Sequence, residues 1–200
     1  MQIRARVAEP TLVFLHGMGT GPEAWRPQVD AFTSSRRVVT PPLELSAEFS
    51  IAAEARRVWH LTDSTPVDLC GLSLGALVAL RASLDEPDHV RRLALCAGFA
   101  ALPPSLRALP AVLGSVSRAS YRAVFREGRR FDVTQELDRL TMPVLVLVGE
   151  KDRANRGLSR VLAERLPNAE LRLVEGAGHV ANVDAPEAFT EALRAFLDRP

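Results

Sequence analysis

Short β-branched runs, several of them apolar at nearly every position, alternate along the chain with longer helical stretches. The runs Thr11–Leu15, Arg37–Thr40, Val67–Cys70, Arg92–Cys96, Val144–Val148 and Glu170–Val174 predict six β-strands, several of them buried on both faces. The stretches between them predict helices over Glu23–Ser34, Ile51–Asp63, Ser73–Leu84, Asn155–Leu166 and Pro186–Leu197. Pro186 suits the first turn of the last helix, with Asp184 ahead of it as the cap. Such alternation predicts an α/β fold, a mostly parallel, twisted sheet of about six strands with helices on both faces.

The rhythm breaks once. Between Cys96 and Val144 lie about 45 residues, with Pro103, Pro104, Pro110, Gly114 and Gly128 but no strand signal, too many for one loop. Patches such as Tyr121, Val124 and Phe125 predict one or two small helices, so the segment from about 98 to 141 reads as a small helical lid. It carries Arg107, Arg118, Arg122, Arg126, Arg129 and Arg130. Arg118, Arg122 and Arg126 recur every four residues and share a face if helical. The simpler expectation is a solvated outer face, with Ala119, Ala123 and Phe125 inward. The sharper one is an anionic substrate steered to a pocket.

Composition narrows the class. A chain of 200 residues suits one domain, so residues 1–200 are taken as a single unit carrying the lid. A net charge of +1 gives no reason to expect nucleic acid as a partner. Lys151 is the only lysine, a bias that reads as coding preference. Cys70 and Cys96 each sit in an apolar run and make neither a disulfide framework nor a metal motif. Met1–Pro10 has no apolar core of a signal peptide, and the longest apolar run is too short to span a bilayer. The expectation is a cytoplasmic protein without a membrane partner.

The chemistry begins where the strand Val67–Cys70 runs into Gly71-Leu72-Ser73-Leu74-Gly75 and then an apolar helical stretch. This is G-x-S-x-G in a strand–turn–helix setting, where a strained turn lifts the serine oxygen above the sheet. Side chains at Gly71 and Gly75 would collide with neighbouring backbone. The helix N-terminus points free N–H groups at an oxyanion forming there.

Serine needs a base, and position discriminates among the four histidines. His60 falls in a helix and His89 beside Asp88 in a connection, both surface positions. His16 ends the first strand and shapes its loop. His179 follows the last strand in Glu175-Gly176-Ala177-Gly178-His179, at the carboxyl edge of the sheet, and is the expected base. The orienting acid should come from another loop at that edge. Asp152 is preferred after Val144–Val148, with Glu150 in reserve, and Cys96-Ala97-Gly98 offers no carboxylate. The order Ser, Asp, His then follows the chain. Leu15-His16-Gly17-Met18-Gly19 can supply a second oxyanion donor, which makes the N–H groups of Met18 and Leu74 the expected pair.

At this point the sequence resembles the α/β-hydrolase superfamily through almost its whole length. The likeness includes His16-Gly17-Met18-Gly19 with Trp25, Pro27 and Gln28, and Gly178-His179 with Asp184, Pro186, Glu187 and Phe189. It is similar to small esterases, lactonases and carbon–carbon hydrolases. The resemblance implies acyl transfer to water from a small-molecule ester-type substrate, with no cofactor or metal. Three departures stand out. Only about ten residues precede the first strand, so the usual opening antiparallel strands look truncated or missing; the lid is short; and Leu72 and Ala76 stand where many relatives carry His and Gly.

Two rivals remain. In Gly17-Met18-Gly19-Thr20-Gly21-Pro22, Pro22 occupies the third glycine position of a dinucleotide fingerprint, and no Walker-type loop occurs. The stronger rival keeps the fold without efficient hydrolysis, as an acyltransferase, a perhydrolase or a ligand-binding receptor.

Overall fold

Each of the six apolar runs forms a strand: β1 Leu12–Leu15, β2 Val38–Val39, β3 Val67–Leu72, β4 Val90–Cys96, β5 Val144–Gly149 and β6 Ala169–Val174. The computed structural model describes residues 10–62, 66–103 and 117–199. Its helices are α1 Arg26–Phe32, α2 Ile51–His60, α3 Leu74–Asp85, α4 Arg118–Arg130, α5 Arg153–Arg165, α6 Ala181–Asp184 and α7 Pro186–Leu197. The strands pair in the order β2-β1-β3-β4-β5-β6, and every pairing between them is parallel. The chain leaves β1 for the edge strand β2, then returns to lay β3 on the other side of β1. That reversal opens a crevice at the carboxyl ends of β1 and β3, the usual ligand position in such sheets.

Alternation along the strands builds two cores. Val13, Leu15, Leu69, Leu93, Leu95, Val144 and Val146 pack with α2, α3 and Leu162 of α5. Leu12, Phe14, Cys70, Leu72, Cys96, Leu145 and Leu147 pack with Phe32 of α1 and Phe189, Leu193 and Phe196 of α7. Cys70 and Cys96 are free thiols inside the second core, and burial pushes both well above the ordinary thiol range. They serve as small apolar side chains.

One strand position breaks the apolar rule. Asp68 of β3 is wholly buried, at the end of the strand opposite Ser73. Burial pushes its carboxyl up against the opposing pull of Arg91 and Arg36, and the net value stays above the ordinary one. Arg36 Nη1 lies 3.1 Å from Oδ2, and Arg91 Nε donates to Oδ1 at 2.8 Å. Arg36 also reaches Asp198, so this cluster fastens the C-terminal residues to the sheet. A buried carboxylate with two cationic partners is costly to break by removing one of them.

Several helix boundaries differ from expectation for local reasons. The helix expected over Glu23–Ser34 is divided into a 3₁₀ turn, Pro22–Trp25, and α1. Pro27 has no N–H to donate and fits only a first turn, where α1 places it. Helix α5 starts at Arg153 rather than Asn155, because the Asp152 side chain caps it by accepting from Asn155 N. The expected cap of α7 is corrected: Ala185 holds that position without a side-chain bond, and Asp184 Oδ2 accepts instead from Gly178 N at 2.8 Å. Helix α2 ends at His60; Asp63 lies outside the described residues.

Between β4 and β5, α4 follows its cap Ser117, and a 3₁₀ turn covers Leu137–Arg139. Pro104, Arg107, Pro110 and Gly114 of the expected lid lie outside the described residues. Ser120, Ala123 and Val124 form the buried face of α4, Phe125 is half-buried, and Arg118, Arg122 and Arg126 are exposed. Ala119 is exposed rather than inward, since it sits two turns before Arg126 on the same face.

Gly157 is exposed in the interior of α5, and a Cβ there would meet nothing within 4 Å. Gly157→Ala should stabilise the protein by up to about 1 kcal/mol and raise Tm by roughly 2–4 °C in a thermal melt.

Candidate active site

At the end of β3 the backbone turns sharply. Ser73 takes φ 52° and ψ −114°, a conformation that costs a non-glycine residue about 1–3 kcal/mol. Its N–H donates to Cys96 O at 2.8 Å, and α3 begins at the next residue. The turn closes only because its flanks lack side chains: a Cβ on Gly71 would lie 2.3 Å from Gly75 O, and one on Gly75 would lie 2.1 Å from Leu15 O. Although Ser73 holds the N-cap position, its oxygen makes no capping bond. The oxygen faces His179 instead, with Ser73 Oγ 3.0 Å from Nε2.

The other ring nitrogen of His179 meets Asp152: Nδ1 lies 2.8 Å from Oδ2. Because that carboxylate can only accept, Nδ1 carries the proton and Nε2 is free to accept from the serine hydroxyl. Asp152 is buried, and burial alone would raise its carboxyl. Hydrogen bonds from His179 and Asn155 outweigh that and hold it below the ordinary value. Backbone contacts bring the two loops together. Lys151 N donates to Ala177 O at 2.8 Å, and a Cβ on Gly149 would lie 2.0 Å from Gly178 O. Asp184, through Gly178 N, holds the same loop from below.

Asn155 was not singled out from the sequence. Its Nδ2 lies 2.9 Å from both oxygens of Asp152 and 3.1 Å from His179 Nδ1. With Nδ1 protonated, two donors face each other across that last distance, so the shared carboxylate holds them together. The signal available in the sequence is the spacing Asp152-x-x-Asn155 at a helix start, which marks a cap.

The reserve acid Glu150 does not reach the imidazole. Its Oε2 accepts from Gly176 N at 2.9 Å. His16 is buried, accepting from Leu43 N at Nε2 (3.0 Å) and standing 2.8 Å from Gly17 O at Nδ1. Both nitrogens are committed to loop backbone. His60 is exposed, and half-buried His89 packs edge-on against Trp59.

Beside Ser73 lies a cavity of about 140 Å³, lined by Met18, Leu74, Leu77, Phe99, Leu102, Val124 and Phe125, with Gly128 and Arg129 on the side of α4. A Cβ on Gly17 would sit 3.4 Å from Ser73 Cβ, so the loop after β1 borders the serine directly. As the first residue of α3, Leu74 has an N–H with no acceptor inside the helix. Among the described residues no group of His, Cys, Asp and Glu side chains could hold a metal ion, and no helix is long and apolar enough to cross a membrane.

The residues beyond the site that carry the family resemblance are scaffold. Trp25 stacks on Phe14 with centroids 4.5 Å apart and tilts against Phe189 at 5.7 Å. Buried Gln28 donates to Asn182 O and Thr190 Oγ1, both at 3.1 Å, tying α1 to the segment that follows His179.

Comparison with known proteins agrees with this architecture. The chain is 23% identical to the (E)-2-((N-methylformamido)methylene)succinate hydrolase of Acinetobacter baylyi, across 94% of this chain and 90% of that one. The crystal structure of the enol-lactonase from Burkholderia xenovorans superposes with a TM-score of 0.84 at 22% identity, covering 95% of this chain and 92% of the lactonase. A hydrolase from Pseudomonas aeruginosa gives 0.81 at 24% identity, covering 98% and 92%. Residues 12–192 match the alpha/beta hydrolase family, from β1 into α7. With the parallel sheet, the strained serine turn and that match taken together, the chain belongs to the alpha/beta hydrolase family.

Proposed function

We propose that the protein is a serine hydrolase that cleaves a small or medium carboxylic ester, thioester or lactone through an acyl-enzyme on Ser73. One observation carries the proposal: Ser73 Oγ, both nitrogens of His179 and Asp152 Oδ2 form one continuous chain, with steps of 3.0 and 2.8 Å. The relatives named above are hydrolases of an enol-lactone and of a substituted succinate, which supports a carbonyl carbon as the point of attack.

In this mechanism Ser73 Oγ attacks the carbonyl carbon while its proton passes to His179 Nε2. The imidazolium that forms is stabilised by ionised Asp152, which Asn155 keeps in position. The N–H groups of Met18 and Leu74 donate to the oxyanion, each worth roughly 3–4 kcal/mol to the transition state. Collapse expels the leaving group with the proton from His179. Water, deprotonated by the same nitrogen, then releases the acid. Residues 1–200 act as one domain with an inserted lid at about 98–141, of which Phe99, Leu102 and α4 border the cavity beside Ser73. The enzyme works in the reducing cytoplasm, where its two buried thiols persist.

A phosphonate probe should label Ser73, and short p-nitrophenyl esters should turn over. Labelling without turnover of an ester, thioester and lactone panel would favour an acyltransferase or a receptor. Absence of both would overturn the proposal. Ser73→Ala or His179→Ala should lower kcat by about 10⁶, and Asp152→Ala by somewhat less, about 10⁴. Glu150→Ala should stay close to wild type; a loss as large as that of Asp152→Ala would assign the acid to Glu150.

Stability should follow Asp152 as well. Its folded pKa lies below the unfolded one, so its contribution is complete above the unfolded value of about 3.9 and is lost as pH falls through the folded value. Melting temperature should therefore drop less for Asp152→Asn than for wild type between about pH 5 and pH 3.

A further inference from the structure

The cavity beside Ser73 is mostly apolar. Met18, Leu74, Leu77, Phe99, Leu102, Val124 and Phe125 supply the walls; among the described residues Ser73 is one polar contributor and Arg129 the only charged one. Among the described residues no acidic side chain lines it. At ~30 Å³ per water-sized group, about 140 Å³ holds four or five such groups, the bulk of a short acyl chain.

Arg129 sits on α4 one turn beyond Phe125, so the two project from the same side of the helix. Gly128 beside it leaves open space, since a Cβ there would meet nothing within 4 Å. The helix holds five arginines, Arg118, Arg122, Arg126, Arg129 and Arg130, against the single acid Glu127, in a chain whose net charge is only +1. Glu127 Oε2 accepts from Ile51 N, toward α2. Among the described residues, none of the five arginines has an ion-pair partner. Arg118, Arg122 and Arg126 are exposed and do not line the cavity; of that strip of charge, only Arg129 does.

From this placement we infer that the site selects a short acyl group carrying a carboxylate at its far end, bound by Arg129 while its carbonyl meets Ser73. The inference rests on the hydrolase proposal and names its substrate class. An acyl group of about four or five carbons fills the cavity, and its terminal carboxylate meets the guanidinium, which presents parallel donors to it. The positive strip of α4 adds a field that draws anions toward the same opening.

The test compares kcat/KM for p-nitrophenyl hydrogen glutarate, an anionic hemiester, with that for neutral p-nitrophenyl butyrate at about 0.15 M ionic strength, where the screening length is about 8 Å. The anionic-to-neutral ratio should fall about fivefold in Arg129→Gln, the scale of one exposed ion pair, and recover in Arg129→Lys. Arg122→Glu, about 10 Å away along the helix axis, should move the ratio by less than about twofold. A ratio unmoved by Arg129→Gln, or moved as far by Arg122→Glu, overturns the inference while butyrate turnover leaves the hydrolase proposal standing. Failure of both esters together with an unlabelled Ser73 removes that proposal, and this inference with it.

Discussion

The close approach between the start of α3 and the ends of β1 and β3 is the constraint on which the rest of the site depends. Gly75 lies against the Leu15 carbonyl and Gly71 against Gly75, at separations that no side chain could occupy. That contact forces Ser73 into left-handed φ and lifts its oxygen clear of the sheet. From there, backbone bonds run along the carboxyl edge. Ser73 N donates to Cys96 O, Ala97 N to Leu147 O, Glu150 N to Val174 O and Lys151 N to Ala177 O. Ser73 and the two loops bearing Asp152 and His179 are thus braced to one another through main chain, which holds position better than side-chain contact alone.

The opposite edge of the sheet carries a different load. Asp68, Arg36 and Arg91 join β3 to β4 and, through Asp198, to the residues after α7. This buried ionic cluster lies on the strand that leads to Ser73 but at its far end, so structural and chemical demands on β3 are separated by its length. Its charges are paired with one another, whereas the arginines of α4 are left to solvent and to whatever enters the cavity. The contrast explains why a chain with almost no net charge still presents a strongly positive face beside Ser73.

Much of this was legible in the residue pattern. Strands buried on both faces, such as β1 and β5, read as unbroken apolar runs, and all six strands are found within one or two residues of their observed limits. Gly71-x-Ser73-x-Gly75 is legible because a turn that tight excludes side chains at two fixed positions. Helix ends were less legible: Asp184 has the right residue type and place to cap α7, yet it bonds Gly178, because the loop bearing His179 passes within its reach. Asn155 escaped notice for a related reason. Its role depends on a carboxylate one turn before it and an imidazole from another loop, and only the first is a neighbour in the chain.

Sequence by itself determined the class of fold and brought Ser73, His179 and two candidate carboxylates, Asp152 and Glu150, to one edge of the sheet, because parallel strands deliver their carboxyl ends to one side whatever the loop details. Tertiary structure alone set which of the two meets His179. The two carboxylates are two residues apart, and the turn after β5 buries one beneath His179 while the other meets Gly176. It alone also decided which arginine of α4 faces the cavity. Helical spacing gives a phase around the axis, but where the helix sits over Ser73 follows from the packing of Ser120, Ala123 and Val124, which no local pattern contains.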